Sequence, residues 1–430
     1  MVLPIWQAPI SNGAIIISGD RIAAVGSWRN LSKKFSGNVL DLGDVAILPG
    51  LVNAHCHLDY TNLAGQFAPP KLFSDWLKQI TTSKGQFSYS DFAESWLKGA
   101  KMLIRHGTTT VGDVESIPEL LPEVLEATPL RVISFLEMTG IRSRRQPKSI
   151  LQEAVKQVED LDALGFSGGL SPHAPYSTLP ELLRLSAKFA RKRKWLLAVH
   201  VAESEQEFQM FTQGQGDMFD WLRRSQRDMS DCGLGSPVRH LERCGALGPN
   251  LLAIHVNYVD ESDAALLARR KVSVVHCPRS HSYFRHAAAF RYQEFTRAGI
   301  NICLGTDSLA SVYQRRYESA ELNLFEEMRA FTASEPSVHP KRIVEMVTLN
   351  PARALGLRGK VGELSNNSYA DIIGLPFKGK LSEIHEAVVH YHGPVVLNAI
   401  RGQWAIEPAA ARSATVSERP GAAAALQLCA

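Results

Sequence analysis

Two histidines spaced two apart, His55 and His57, follow an apolar run over 45–51 that is interrupted by Pro49-Gly50. On a β-strand, residues i and i+2 point to the same face, so both imidazoles can aim at one point while Cys56 turns away. Two histidines converging at a strand end supply half of a metal site. Taken alone, such a pair is equally compatible with a packed core or a surface, so its meaning depends on what later segments bring to the same place. His200, in His-Val-Ala-Glu, and Asp307, in Leu-Gly-Thr-Asp-Ser, each end a later apolar, β-branched stretch. Three imidazoles and one carboxylate suit one divalent ion, Zn²⁺ first and Fe²⁺ second, with a position left for water. A buried carboxylate without a cation is costly, which makes a metal the simplest partner for Asp307. An ion held this way lowers the pKa of its water toward neutrality. Glu203, three residues beyond His200, can then move a proton between water and substrate as a general acid–base. His255 can orient the attacking water or add a further ligand. His173, in Ser-Pro-His-Ala-Pro-Tyr, reads as a substrate contact. His276, in His-Cys-Pro-Arg-Ser, reads equally as a core residue or a catalytic one.

These residues need a scaffold that brings strand ends together. Apolar segments ending in His, Asp or Glu are predicted as strands over 48–57, 108–113, 131–137, 168–173, 196–200, 251–255, 272–276 and 300–307, with helical patterns between them. Strands alternating with helices are the signature of parallel α/β architecture, and eight of them make a (β/α)₈ barrel, whose active site lies at the C-terminal ends of the strands. Helices are predicted over 88–106, 149–164, 179–192, 261–270, 288–298, 322–331 and 341–349, the last broken by Asn350-Pro351. Upstream, short strands over 14–17 and 21–25 flank Ser18-Gly19-Asp20, a hairpin signal, and strand character returns over 39–47, 370–376 and 387–401. The two chain ends are therefore expected to build a small β-sandwich, residues 1–48 with 360–410, around a barrel over 49–359. Residues 411–430, rich in Ala and Ser, carry no period and are expected to form a flexible tail.

Composition narrows the class. A chain of 430 residues is long enough for a large barrel and a smaller module. Its 47 basic and 43 acidic residues nearly cancel, leaving no electrostatic case for nucleic acid. The cluster Arg191–Lys194 suits a helix C-terminus, where cations complement the dipole. Six cysteines without C-x-x-C pairing fit a reduced compartment. The N-terminus has no charged and apolar leader pattern, and no apolar span is long enough for a membrane. The expectation is a cytoplasmic enzyme of a small molecule, with neither nucleic acid nor membrane as partner; a homo-oligomer is compatible with it.

The motifs Pro49-Gly-Leu-Val-Asn-Ala-His-Cys-His, Ser171-Pro-His-Ala-Pro-Tyr, His200-Val-Ala-Glu, His276-Cys-Pro-Arg-Ser and Gly305-Thr-Asp-Ser together resemble the amidohydrolase superfamily. Thr348-Leu-Asn-Pro-Ala-Arg-Ala-Leu-Gly-Leu and Ala370-Asp-Ile-Ile fit the same pattern. Within it the chain looks like the branch of S-adenosylhomocysteine/methylthioadenosine deaminases and chlorohydrolases. The resemblance implies a mononuclear centre held by His55, His57, His200 and Asp307. It also implies Glu203 as proton shuttle, His255 assisting the nucleophile, and His173 contacting substrate. Binuclear relatives carry a carboxylated lysine on strand four, where this chain has His173. Nucleoside deaminases of this branch carry a glutamate soon after an aromatic-Trp-Leu motif, to hold ribose hydroxyls. Here Phe73-Ser-Asp-Trp-Leu-Lys-Gln-Ile is followed by no glutamate until Glu94. Trp76-Leu-x-x-Ile and Phe135-Leu-Glu-Met look more like aminodeoxyfutalosine deaminases, which points to Trp76 and Glu137 as substrate contacts. Arg142 and Arg145, beyond strand three, can pair with a carboxylate at the far end of such a substrate; a solvated basic loop is the alternative. The implied reaction is hydrolytic deamination of a 6-aminopurine nucleoside derivative. The alternative is a chlorohydrolase or cyclic-amide hydrolase built on the same site.

Overall fold

The computed structural model describes residues 1–34, 37–141, 146–314, 319–409 and 425–429. Four strands come first: β1 (Gly13–Ser18), β2 (Arg21–Ser27), β3 (Asn38–Asp41) and β4 (Val45–Pro49). The hairpin of β1 and β2 turns through Gly19, whose φ of 60° is costly for a residue with a Cβ. Eight barrel strands follow: β5 (Leu51–Cys56), β6 (Thr108–Glu115), β7 (Arg131–Met138), β8 (Ser167–Pro172), β9 (Leu197–Val201), β10 (Leu251–His255), β11 (Ser273–His276) and β12 (Asn301–Leu304). They pair in parallel in sequence order, and a bridge between Cys56 and Asp307 brings the last segment back to the first. The result is the expected (β/α)₈ barrel, with all eight strands where the apolar segments place them. The single segment foreseen over 48–57 divides at Gly50 into β4, which belongs to an outer sheet, and β5, which opens the barrel.

Closure happens beside the histidines. Thr306 N donates to His55 O at 3.0 Å, and Asn53 grips Thr306 through both amide atoms, at 2.7 Å to Oγ1 and 3.1 Å from N. A Cβ on Gly305 would stand 2.9 Å from His55 O and 3.0 Å from Val275 Cγ1, so only glycine permits this approach. The barrel interior is filled by Val52, Ile133, Phe135, Leu252, Ile254 and Val275, with Ala352 and Leu355 packed against them. Those last two follow Asn350-Pro351, which does not end a helix. The break falls earlier, after the helix Pro340–Glu345, and Pro351 sits in the first turn of the next helix, Leu349–Ala354, where a missing N–H costs little. Asn350 ties that helix to the barrel by donating to Ile302 O at 2.8 Å.

The last strands are β13 (Ile372–Pro376), β14 (Leu397–Ile400), β15 (Gln403–Ile406) and β16 (Ala425–Cys429). They complete two four-stranded sheets, β15-β14-β13-β4 and β2-β1-β16-β3, so both chain ends build them. Ile15, Ile17, Ile22, Ile47, Ile372 and Leu397 share one apolar cluster between the sheets. Two expectations change here. Residues 387–401 are not strand throughout: Ile384–Val389 is a helix, with Ile384 and Val388 buried at i and i+4. In the tail, Ala425–Cys429 is a strand, antiparallel to β1 and parallel to β3. Its signal is the short alternation Leu426-Gln-Leu428, too brief to read without its partners. No helix among the described residues is long and apolar enough to cross a membrane, and Cys56, Cys232, Cys244, Cys277 and Cys303 are free.

Candidate metal centre

His55 is the penultimate residue of β5 and His57 the first beyond it. The chain there is fixed by buried Asp113, two residues before the end of β6, which accepts from Leu58 N at 2.9 Å and Trp96 Nε1 at 3.0 Å. Asp113 is thus a buried carboxylate with a structural duty. His200, on β9, places Nδ1 3.0 Å from His173 O. A carbonyl can only accept, so Nδ1 carries the proton and Nε2 keeps its lone pair, the tautomer a metal requires. That Nε2 lies 3.2 Å from His57 Nε2 and 3.3 Å from His55 Nε2. A tetrahedral ion with bonds of about 2.0–2.1 Å to imidazole nitrogens spaces its ligands by roughly 3.3 Å. Asp307 Oδ1 stands 3.6 Å from His55 Nε2 and 3.9 Å from His57 Nε2, while Oδ2 accepts from Ser311 Oγ at 3.0 Å.

Burial, then the neighbouring imidazoles, holds His57 and His200 well below the usual histidine range, so both rings are neutral donors of lone pairs. Burial alone would push the Asp307 carboxyl up. The imidazoles facing it, His55 first, outweigh burial and hold the Asp307 carboxyl well below the usual carboxylate range. Among the described residues, His55, His57 and His200 form the one group of three or more metal-ligating side chains whose donor atoms lie within 4.8 Å of each other. Three imidazole nitrogens facing one point, with a carboxylate beside them, fit a divalent ion.

The acid–base candidates border this point. Glu203 is buried, its carbonyl held by Asn257 Nδ2 at 3.0 Å and its N–H by Glu207 Oε2 at 2.9 Å. Its Oε1 lies 3.5 Å from His255 Nε2. Burial, with Asp307 and Glu207 adding to it, pushes the Glu203 carboxyl well above its ordinary range. Burial brings His255 down to about 3, so it acts as a neutral ring. His173 is fixed by Ser177 Oγ at 2.6 Å from Nδ1, with Nε2 3.7 Å from Glu137 Oε1.

His57, His200, Asp307, Glu203, His255 and His173 open into a cavity of about 570 Å³ walled by Tyr60, Phe73, Trp76, Ile80, Tyr176 and Trp221. Trp76 and Glu137 both line it. His276 does not: its ring stacks on Phe290 at 3.9 Å between centroids, on the side of β11 away from the barrel interior. Arg142 and Arg145 lie outside the described residues. Sequence reasoning missed Lys84, Tyr60, Tyr176 and Trp221. For Lys84 a signal existed, since Phe73, Trp76, Leu77, Ile80, Thr81 and Lys84 follow helical spacing and form one face of the helix Phe73–Lys84.

The family model described as the amidohydrolase family matches residues 46–390 of this chain. The chain belongs to that family. It is similar to a 5-methylthioadenosine/S-adenosylhomocysteine deaminase of Syntrophobacter fumaroxidans, 31% identical over 88% of this chain and 83% of that protein. An aminodeoxyfutalosine deaminase of Deinococcus radiodurans is 27% identical over 81% of this chain and 82% of that one. Among solved structures, an adenosine deaminase from Xanthomonas campestris with bound zinc matches at a TM-score of 0.79, with 23% identity over 94% of this chain and 91% of that one. As an amidohydrolase with deaminases as relatives, this protein is a hydrolase acting on carbon–nitrogen bonds.

Proposed function

We propose that this amidohydrolase is a metal-dependent hydrolytic deaminase of a 6-aminopurine nucleoside derivative, of the aminodeoxyfutalosine, methylthioadenosine or S-adenosylhomocysteine type. The observation that carries the reading is the convergence of three imidazole nitrogens at 3.2 and 3.3 Å spacings on one buried point beside Glu203. His55, His57, His200 and Asp307 would hold one divalent ion, zinc by its donor set. When bound, such an ion makes water a competent nucleophile at neutral pH. The rest falls to the chain's own side chains. Glu203 takes a proton from the attacking water and delivers it to the departing nitrogen; its raised pKa suits a group that must both accept and return a proton. His255, 3.5 Å from that carboxylate and neutral, orients the water. His173 presents Nε2 to the ring being attacked. Water adds its oxygen to the ring carbon, the carbon–nitrogen bond breaks, and ammonia leaves.

The aromatic walls supplied by Phe73, Trp76, Tyr176 and Trp221 support a flat heterocycle with an apolar or aromatic extension. Lys78 Nζ, 5.4 Å above the Trp221 ring and paired with Asp75 Oδ1 at 2.9 Å, lies at the rim. Aminodeoxyfutalosine combines an adenine ring with an aromatic carboxylate, so it should give a higher kcat/KM than adenosine or S-adenosylhomocysteine. Steady-state ammonia release from the three compounds tests the reading. No ammonia from any of them, with halide released from a chlorotriazine instead, would move the protein to the chlorohydrolases.

A further inference from the structure

Glu203 stands two residues beyond β9, on a turn that other segments hold in place. Ala202, just before it, takes a φ of 53°, a conformation that a residue with a Cβ keeps only when its surroundings impose it. The holding contacts come from two places. From just beyond β10, Asn257 N and Tyr258 N both donate to Ala202 O, at 2.9 and 3.0 Å. Asn257 Nδ2 adds a bond of 3.0 Å to Glu203 O. From the helix Glu205–Gln213, Glu207 Oε2 accepts from Glu203 N at 2.9 Å. The N–H and the carbonyl of Glu203 are thus each gripped by a buried side chain.

A glutamate in the first turn of a helix commonly serves its cap, and Ser204, the N-cap here, accepts from Glu207 N at 3.2 Å. Capping alone does not account for Glu207. A capping box needs only the N–H of the cap residue, whereas this carboxyl also faces those of Ala202 and Glu203. Its second oxygen, Oε1, is buried without a hydrogen-bond partner, and so is Asn257 Oδ1. Buried acceptors without donors weigh against the folded state, so stability gives no reason for two of them to flank one peptide. Position does. Glu203 Oε1 lies 3.5 Å from Nε2 of His255, and His255 stands two residues before Asn257. Holding the Glu203 peptide against Asn257 therefore sets the spacing of the two groups that handle the proton.

We infer that Glu207 and Asn257 are positioning residues for Glu203, one holding its N–H and the other its carbonyl so that its carboxyl stays beside His255. The inference rests on the acid–base role of Glu203 in the deaminase reading. The test makes Glu207→Leu, Glu207→Gln and Asn257→Leu, each alone and combined with Glu203→Gln. Ammonia release from a 6-aminopurine nucleoside and metal analysis are the two readouts. Glu207→Leu should lower kcat about tenfold to a hundredfold, the effect of a small misplacement, with KM and metal content near those of the wild type. Asn257→Leu should act in the same direction. Glu207→Gln keeps an oxygen for the Glu203 N–H and should recover most of kcat. Combined with Glu203→Gln, neither leucine variant should lower kcat further, because both act through the carboxylate already removed. Losses that add to that of Glu203→Gln, or that fall on KM or metal content, would overturn the positioning role and leave both residues as supports of the fold. A wild type that releases no ammonia from any such nucleoside would instead overturn the deaminase reading, and this inference with it.

Discussion

Ala202, His255 and Asp307 leave the tips of three barrel strands with positive φ, at 53°, 75° and 52°. A residue with a Cβ in that region carries about 1–3 kcal/mol of strain. Here the strain accompanies sharp turns at the site, and two of the three residues are Asp307 and His255 themselves. The side chains so placed make distinct predictions. His200→Ala removes one of the three converging nitrogens, so the purified variant should contain far less metal by elemental analysis and show no turnover. Full occupancy with wild-type rates would exclude His200 as a ligand. Glu203→Gln keeps the shape of the side chain and removes the proton acceptor. It should retain metal and substrate affinity while kcat falls by about 10²–10⁴-fold. A variant with kcat near wild type would remove Glu203 from the chemistry. These residues could be read from the sequence because each stands at or just past the end of an apolar β-branched run, where strand geometry limits the directions a side chain can take. Tyr176 and Trp221 could not, since they stand on segments beyond the strands whose path is set by tertiary packing.

The elements beyond the strands hold the cavity walls through buried polar ties. Arg227 is the clearest case. Its side chain is fully buried, donates to Pro175 O at 3.0 Å and Tyr176 O at 2.9 Å, and grips Asp231 at 2.6 and 2.8 Å. Tyr176 lines the cavity, so one arginine fixes the loop that follows β8. Arg227→Met would leave two carbonyls buried without their donor and strip Asp231 of its ion pair, with only Cys232 Sγ at 3.4 Å and His240 Nε2 at 3.7 Å left beside it. Breaking a buried pair in this way typically costs about 3–5 kcal/mol. The variant should melt at a clearly lower temperature and show a raised KM, because the Tyr176 wall loses its anchor while Glu203 and the histidines are untouched. An unchanged melting temperature would mean that the loop is held by packing alone. No local pattern announces this tie, since Arg227 and the carbonyls it holds are about fifty residues apart. The eight barrel strands, by contrast, are legible, because segments such as Leu197–Val201, Leu251–His255 and Ser273–His276 are buried throughout and read as short apolar, β-branched runs.

At the scale of the whole molecule, the barrel closes at the site and the chain ends meet far from it. The two outer sheets take strands from the first fifty residues and from the region after the barrel, which is why composition alone could suggest a sandwich but not its strand order. The strand β16 is the instructive member. It lies between β1 and β3, with Leu428 opposite Ile15 on one side and Leu40 on the other. Without it, β1 becomes an edge and β3 loses its only partner in that sheet. A chain ending at residue 424 should therefore fold with a weakened outer sheet, and its melting temperature should fall by about 5 °C or more. The barrel strands make no pairing with β16, so metal content and kcat below the transition should match the full chain. Calorimetry and ammonia-release kinetics on the two chains separate these effects. An unchanged melting temperature would show that β16 contributes nothing to the sheet, and a lost metal would show that the chain ends support the barrel directly.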